Sequence, residues 1–162
     1  MPVTDVQKDL DALTMTMTGE FDASPDRLWQ VWEDPRQLER WWGPPTYPAT
    51  VTDHELRPGG RVAYHMTGPA GDEAHGWWEI VEVDPPRSIL FRDGFAKDDG
   101  SPDPSLPVTD VRVTIADIGD GRSRMSVQTV FPDAAAMQTV LDMGAEEGAR
   151  SAMAQIDAVL AG

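Results

Sequence analysis

The sequence contains no cysteine, which excludes disulfides, thiolate nucleophiles and thiolate metal sites. Cations are also scarce. Lys8 and Lys97 are its lysines, and the formal net charge is −15. Nucleic acid and anionic membrane surfaces both need a cationic face, so neither is an expected partner. No apolar run approaches membrane-spanning length, and residues 1–11 have no apolar signal core, so the expected location is cytoplasmic. No internal repeat is present. The catalytic signatures G-x-S-x-G and H-E-x-x-H are missing, as is a glycine-rich phosphate loop. With lysines only in polar surroundings, a buried Schiff-base lysine is not expected.

What remains is a chain of 162 residues with ordinary hydrophobic content, enough for one globular domain with a real core. Its C-terminal stretch organises the rest. From Asp133 to about Leu160 there is no proline, and apolar or small residues recur at helical spacing: Met137, Leu141, Gly144, Ala145, Gly148, Ala152, Ile156 and Val159. The expectation is one continuous helix of ~40 Å. The middle of its inward stripe is small. Each helix-interior glycine costs about 1 kcal/mol against alanine, so Gly144 and Gly148 signal either close backbone packing against a sheet or one wall of a cavity.

Residues 1–9 are polar and read as a flexible segment, leaving 10–162 as the domain. Leu10 to Phe21 reads as a first strand, through Leu13, Met15 and Met17. Ser24-Pro25 and Asp34-Pro35 each combine an N-cap with a proline at the first helical position, so two short helices follow. Strands are then expected at Ala49–Leu56, Arg61–Thr67, Gly76–Val83, Ser88–Phe95, Val108–Ile118 and Arg122–Phe131. Gly119-Asp120-Gly121 pairs Ile115 with Met125 and Val113 with Val127, which puts both apolar sets on one face. The long break 96–107 has the composition of a lid or a mobile loop. Strand, two short helices, six strands and a long helix form an α+β architecture. Its antiparallel sheet of seven strands wraps the last helix, with a core or pocket between.

That order, with several local motifs, resembles the activator of heat-shock protein 90 ATPase homologue family, within the START-like, birch-pollen-allergen-like superfamily. The motifs are Phe21-Asp22-Ala23-Ser24-Pro25, Asp34-Pro35, Trp41-Trp42-Gly43-Pro44, Arg57-Pro58-Gly59-Gly60, Glu82-Val83-Asp84-Pro85-Pro86 and Met143-Gly144 with Gly148. The resemblance covers roughly residues 13 to 160. It implies the helix-grip fold: a curved seven-stranded antiparallel sheet gripping a long C-terminal helix, with an internal cavity. Relatives with this fold bind lipids, sterols, polyketides and plant hormones, and some catalyse cyclisation or dehydration in the cavity. The family name comes from a eukaryotic co-chaperone that carries an additional N-terminal domain, so the expectation here favours a binding module over a chaperone cofactor.

The residues expected to line a ligand cavity are Trp42, Tyr64, Met66, Trp78, Phe91, Phe95, Met137, Leu141, Gly144 and Gly148. Aromatic walls with a few polar tips suit a small hydrophobic or aromatic molecule. The tryptophans have a second reading, in which they pin the short helices to the sheet. The weak catalytic candidates are Asp93, His65 and Tyr64. Asp93 is either a carboxylate among the aromatics of the Ile89–Phe91–Phe95 face, where desolvation would raise its pKa, or a solvated turn residue. Arg112 is a cross-sheet partner for it or faces water. His54, His65 and His75 fall on separate strands with nothing to make them converge, so no metal is expected, and no cofactor either. Three functions follow from these features: a small-molecule-binding protein, a cavity enzyme of cyclase, dehydratase or hydrolase type, and a chaperone-cofactor or protein-interaction module. A homodimer through a sheet edge or the tryptophan-rich mouth stays open.

Overall fold

The computed structural model describes residues 3–162. Both short helices start where the capping residues stand. The Ser24 hydroxyl accepts from the Arg27 N–H at 3.2 Å, and Pro25 opens α1 (Pro25–Glu33). Asp34 ends α1 in an extended conformation and caps α2 (Pro35–Trp41), its carboxylate accepting from the Arg36 N–H at 2.9 Å. One residue therefore turns the chain and satisfies a free helix donor.

The strands are β1 (Val3–Asp9), β2 (Thr14–Phe21), β3 (Ala49–His54), β4 (Arg61–Thr67), β5 (Glu73–Asp84), β6 (Ser88–Ala96), β7 (Thr109–Gly119) and β8 (Arg122–Val130). They form one antiparallel sheet in the order β1-β2-β8-β7-β6-β5-β4-β3. The β7–β8 register pairs Ile115 with Met125 and Val113 with Val127, as the alternation requires. Register shifts at Val51/Asp53 in β3, Ile80/Glu82 in β5 and Asp117/Gly119 in β7 supply local bends.

Two expectations are corrected. The sheet has eight strands, not seven, because Val3–Asp9 pairs as an edge strand; the first two residues of the segment read as flexible lie outside the described residues. Leu13 adopts φ 58° in the turn after Asp9, and the chain folds back to pair Val6 with Met17 and Lys8 with Met15. Most of β1 faces solvent, so it lacks the buried alternation that reveals a strand, although Val3 is buried. The second correction concerns the C-terminal stretch, which is three helices: α3 (Ala134–Asp142), α4 (Ala145–Met153) and α5 (Ile156–Ala161). Gly144 takes φ 82°, a left-handed conformation that no regular helix contains, and this ends α3. At the second break the Gln155 amide donates to the Gly43 carbonyl at 2.6 Å, tying this turn to the segment after α2.

The architecture is α+β and consistent with the helix-grip fold. Its core is the inward sheet face with Leu28, Val31 and Trp32 from α1, Leu38 and Trp41 from α2, and Met137, Met153, Ile156 and Val159 from the last three helices. Arg27 donates to the Val159 carbonyl at 3.1 Å and joins α1 to α5.

Candidate functional site

The inward side chains can be followed across the sheet by register. Met15 and Met17 on β2 pair with Thr129 and Val127 on β8. Thr129 pairs with Val111 on β7, and Thr109 pairs with Asp93 on β6. Asp93 pairs with Trp78 on β5, and Phe95 pairs with Gly76, which pairs with Tyr64 on β4. Beside this face lies a cavity of about 340 Å³. The opposite wall comes from Gly144, Ala145, Gly148, Ala149 and Ala152, and one flank from Trp32, Trp41 and Trp42. A Cβ built on Gly144 or Gly148 meets nothing within 4 Å, so these glycines border open space instead of packing closely against the sheet.

The aromatic flank is a continuous stack. Trp32 meets Trp41 edge-on at 4.8 Å and Trp42 meets Trp78 edge-on at 4.7 Å. Trp78 lies flat on Phe91 at 4.1 Å. The tryptophans thus anchor α1 and α2 and also wall the cavity, which combines both readings of the sequence.

Gly76 positions the polar part of the site. A side chain there would collide with the Tyr64 ring and hydroxyl. Its absence lets the ring lie across β5, toward the β6 strand that carries Asp93. Asp93 and Tyr64 both line the cavity, and neither is fully exposed. Burial, with no partner to offset it, pushes the Asp93 carboxyl up to about 7. Burial also pushes the Tyr64 hydroxyl above its ordinary range, and the Asp93 charge adds to the effect.

Hydrogen-bond accounting distinguishes two of the six tryptophans. The indole N–H groups of Trp29, Trp32, Trp41 and Trp77 donate to Glu33, Met125 Sδ, the Val31 carbonyl and the Phe95 carbonyl. Those of Trp42 and Trp78 are buried and have no partner among the described residues. Both lie close enough to the Tyr64 oxygen to favour its ionised form, yet neither makes a bond of acceptable geometry. One corner of the apolar cavity therefore carries a phenol and an unpaired carboxyl, with the Trp42 indole beside them and the Trp78 indole behind.

Of the residues expected to bind ligand, Trp42, Tyr64, Met66, Phe95, Gly144 and Gly148 line the cavity. Trp78 and Phe91 stand behind it, in the stack under Trp42. Met137 is buried in the core and Leu141 packs against that core, so neither reaches the cavity. Of the catalytic candidates, Asp93 and Tyr64 come together and His65 does not. Its ring lies 5.4 Å from that of His75, with Glu73 3.9 Å from its Nε2. Asp93 faces the cavity because β6 runs on to Ala96, past the point where a solvated turn would begin. Arg112 is exposed and pairs with Leu90 and Gln128, not with Asp93. His54 is held by the Trp32 carbonyl at 2.9 Å. Met15, Met17, Thr109 and Thr129 line the cavity as well and were missed. Their signal was the buried alternation of β2 and the cross-strand register, which only pairing supplies.

The family model of the activator of Hsp90 ATPase homolog 1-like proteins matches residues 22–161. The chain belongs to this family. Solved structures similar to this chain include protein Ms6760 from Mycobacterium smegmatis, 55% identical, with a TM-score of 0.91 over 98% of this chain and 97% of that one. A protein from Arthrobacter aurescens is 48% identical, with a TM-score of 0.94 over 98% and 92%. The AHSA1 protein from Silicibacter pomeroyi is 22% identical, with a TM-score of 0.73 over 91% and 97%, and shares the fold. No curated protein matches the chain by sequence. No helix among the described residues is long and apolar enough to cross a membrane.

Proposed function

We propose that this chain binds a small, mainly apolar molecule in the cavity between the sheet and the C-terminal helices. The observation that carries this reading is a cavity of about 340 Å³ walled by aromatic, methionine and small side chains, with a few convergent polar groups. Ligand pockets run from about 300 to 1,000 Å³ and have this make-up. Gly148 and its neighbours keep the helix wall thin, and the tryptophans make the opposing flank rigid. Trp42, Tyr64, Met66, Phe95, Gly144 and Gly148 are the contact residues in this reading. Native mass spectrometry of the purified protein, followed by organic extraction, tests it. A co-purifying small molecule that is lost on Gly148→Leu substitution is the expected result. Retention of the same ligand by that variant would refute the cavity as its site.

A second reading is favoured by one specific observation. Burial pushes the Asp93 carboxyl up to about 7 in a cavity it shares with a phenol, the arrangement a cavity enzyme needs for general acid or base work. Turnover of a bound substrate that disappears in Asp93→Asn, with binding retained, would establish it. Binding and release without turnover would exclude it for that ligand.

A further inference from the structure

We propose that Tyr64 and Asp93, backed by the indole N–H groups of Trp42 and Trp78, form a hydrogen-bonding pole that takes the carbonyl oxygen of an uncharged, otherwise apolar ligand. This rests on the reading of the cavity as a ligand site and names the ligand's chemistry.

The groups available at the pole are mostly donors. Among the described residues the Tyr64 hydroxyl donates to no acceptor, and its oxygen already faces two indole N–H groups. Donation into the cavity is what remains for its proton. Asp93 has no cation beside it, and in the neutral form it too presents an O–H. Buried donors left unmade are costly, and native interiors pair nearly all of them. Four of the six indoles are paired in this way, and the two exceptions face the Tyr64 oxygen, which leaves the phenolic proton as the group for which an acceptor is wanting.

The charge of the ligand follows from the same inventory. No lysine or arginine lines the cavity, and an anion would enter a protein of net charge −15 to meet Asp93. An ammonium would satisfy Asp93 and find aromatic faces. It would also find the Tyr64 oxygen already faced by two indole N–H groups and leave the phenolic proton without an acceptor. A carbonyl oxygen accepts from two donors at once and carries no charge into the apolar cavity.

Three naphthalene probes of similar shape separate these cases: 2-acetylnaphthalene, 2-ethylnaphthalene and 1-(2-naphthyl)ethylamine. Each is titrated at pH 6 into the full chain labelled with ¹⁵N, with affinity and the six indole N–H resonances followed together. The ketone is expected to bind about tenfold more tightly than the hydrocarbon. It should move the Trp42 and Trp78 indole resonances and leave those of Trp29 and Trp77 in place. Tyr64→Phe should reduce the ketone's advantage to about threefold or less, with the hydrocarbon's affinity unchanged. Equal affinity for ketone and hydrocarbon, with both indole resonances still, would overturn the pole and spare the cavity reading. Preferential binding of the amine would overturn it in favour of a cation site. Exclusion of all three probes would overturn the cavity reading, and the pole with it. The comparison on the wild-type chain decides the matter even if Tyr64→Phe folds poorly.

Discussion

Replacing Asp93 by asparagine should stabilise the protein at pH 8 and change little at pH 4. In the folded chain burial raises the Asp93 carboxyl from the ordinary 3.8 to about 7. The folded state therefore holds this proton more tightly than the unfolded state does. Below the unfolded value both states are protonated and stability is undiminished. As pH rises from about 4 to 7 the unfolded chain ionises while the folded one resists, and stability is lost throughout that interval. Above 7 the loss is complete. The gap corresponds to about 4 kcal/mol at most, and access of water to the cavity lowers it toward about 2 kcal/mol. Asparagine has the same shape and no charge to bury. Chemical denaturation of both proteins at several pH values gives the difference, which cancels the contribution of the other acidic groups. At pH 8 the variant should gain about 2 to 4 kcal/mol, or roughly 4–16 °C in Tm. Below pH 4 the two proteins should agree within about 0.5 kcal/mol. A difference that stays flat between pH 4 and 8 would refute the burial of this carboxyl.

Further predictions follow from other positions. Gly148→Leu should raise stability by up to about 1 kcal/mol through helix propensity while weakening ligand binding at least about tenfold, measured by denaturation and titration side by side. Gly144→Ala should cost about 1–2 kcal/mol, because Gly144 holds φ 82° between α3 and α4 and alanine is strained there; an unchanged Tm would show that the two helices can fuse. Asp34→Ala should cost about 1 kcal/mol at pH 7 by removing the cap of α2. Hydrogen bonds from the Gln37 side chain and the Arg36 N–H hold the Asp34 carboxyl below its ordinary value. Its contribution is thus present above pH 3.8 and fades as the pH falls further, so the cost of alanine should shrink in acid.

Local chemistry alone placed a large part of this molecule. Ser24-Pro25 and Asp34-Pro35 set both helix starts, because a cap and its proline act within four residues. Alternation in 111–115 and 125–127 set the β7–β8 register, because a one-residue slip would turn the apolar sets outward. The family resemblance was legible as well, since its motifs are turns and caps of the same local kind. The edge strand Val3–Asp9 was not, because a half-paired, solvated strand needs no apolar alternation. The break at Gly144 was hidden because glycine reads alike as a helix wall and as a helix stop; only its φ separates the two. Asp93 was ambiguous for a related reason. A single acidic residue near a strand end has no periodicity of its own, and its environment depends on how far β6 continues and on what its neighbours present. The absent side chain of Gly76 lets Tyr64 lie across the sheet toward it, and two indoles close the corner from the residue after α2 and from β5. Sequence decided which segments could form strands, helices and turns. The tertiary structure decided which polar groups lost their water, because desolvation is set by all the atoms packed around a group and not by its neighbours along the chain.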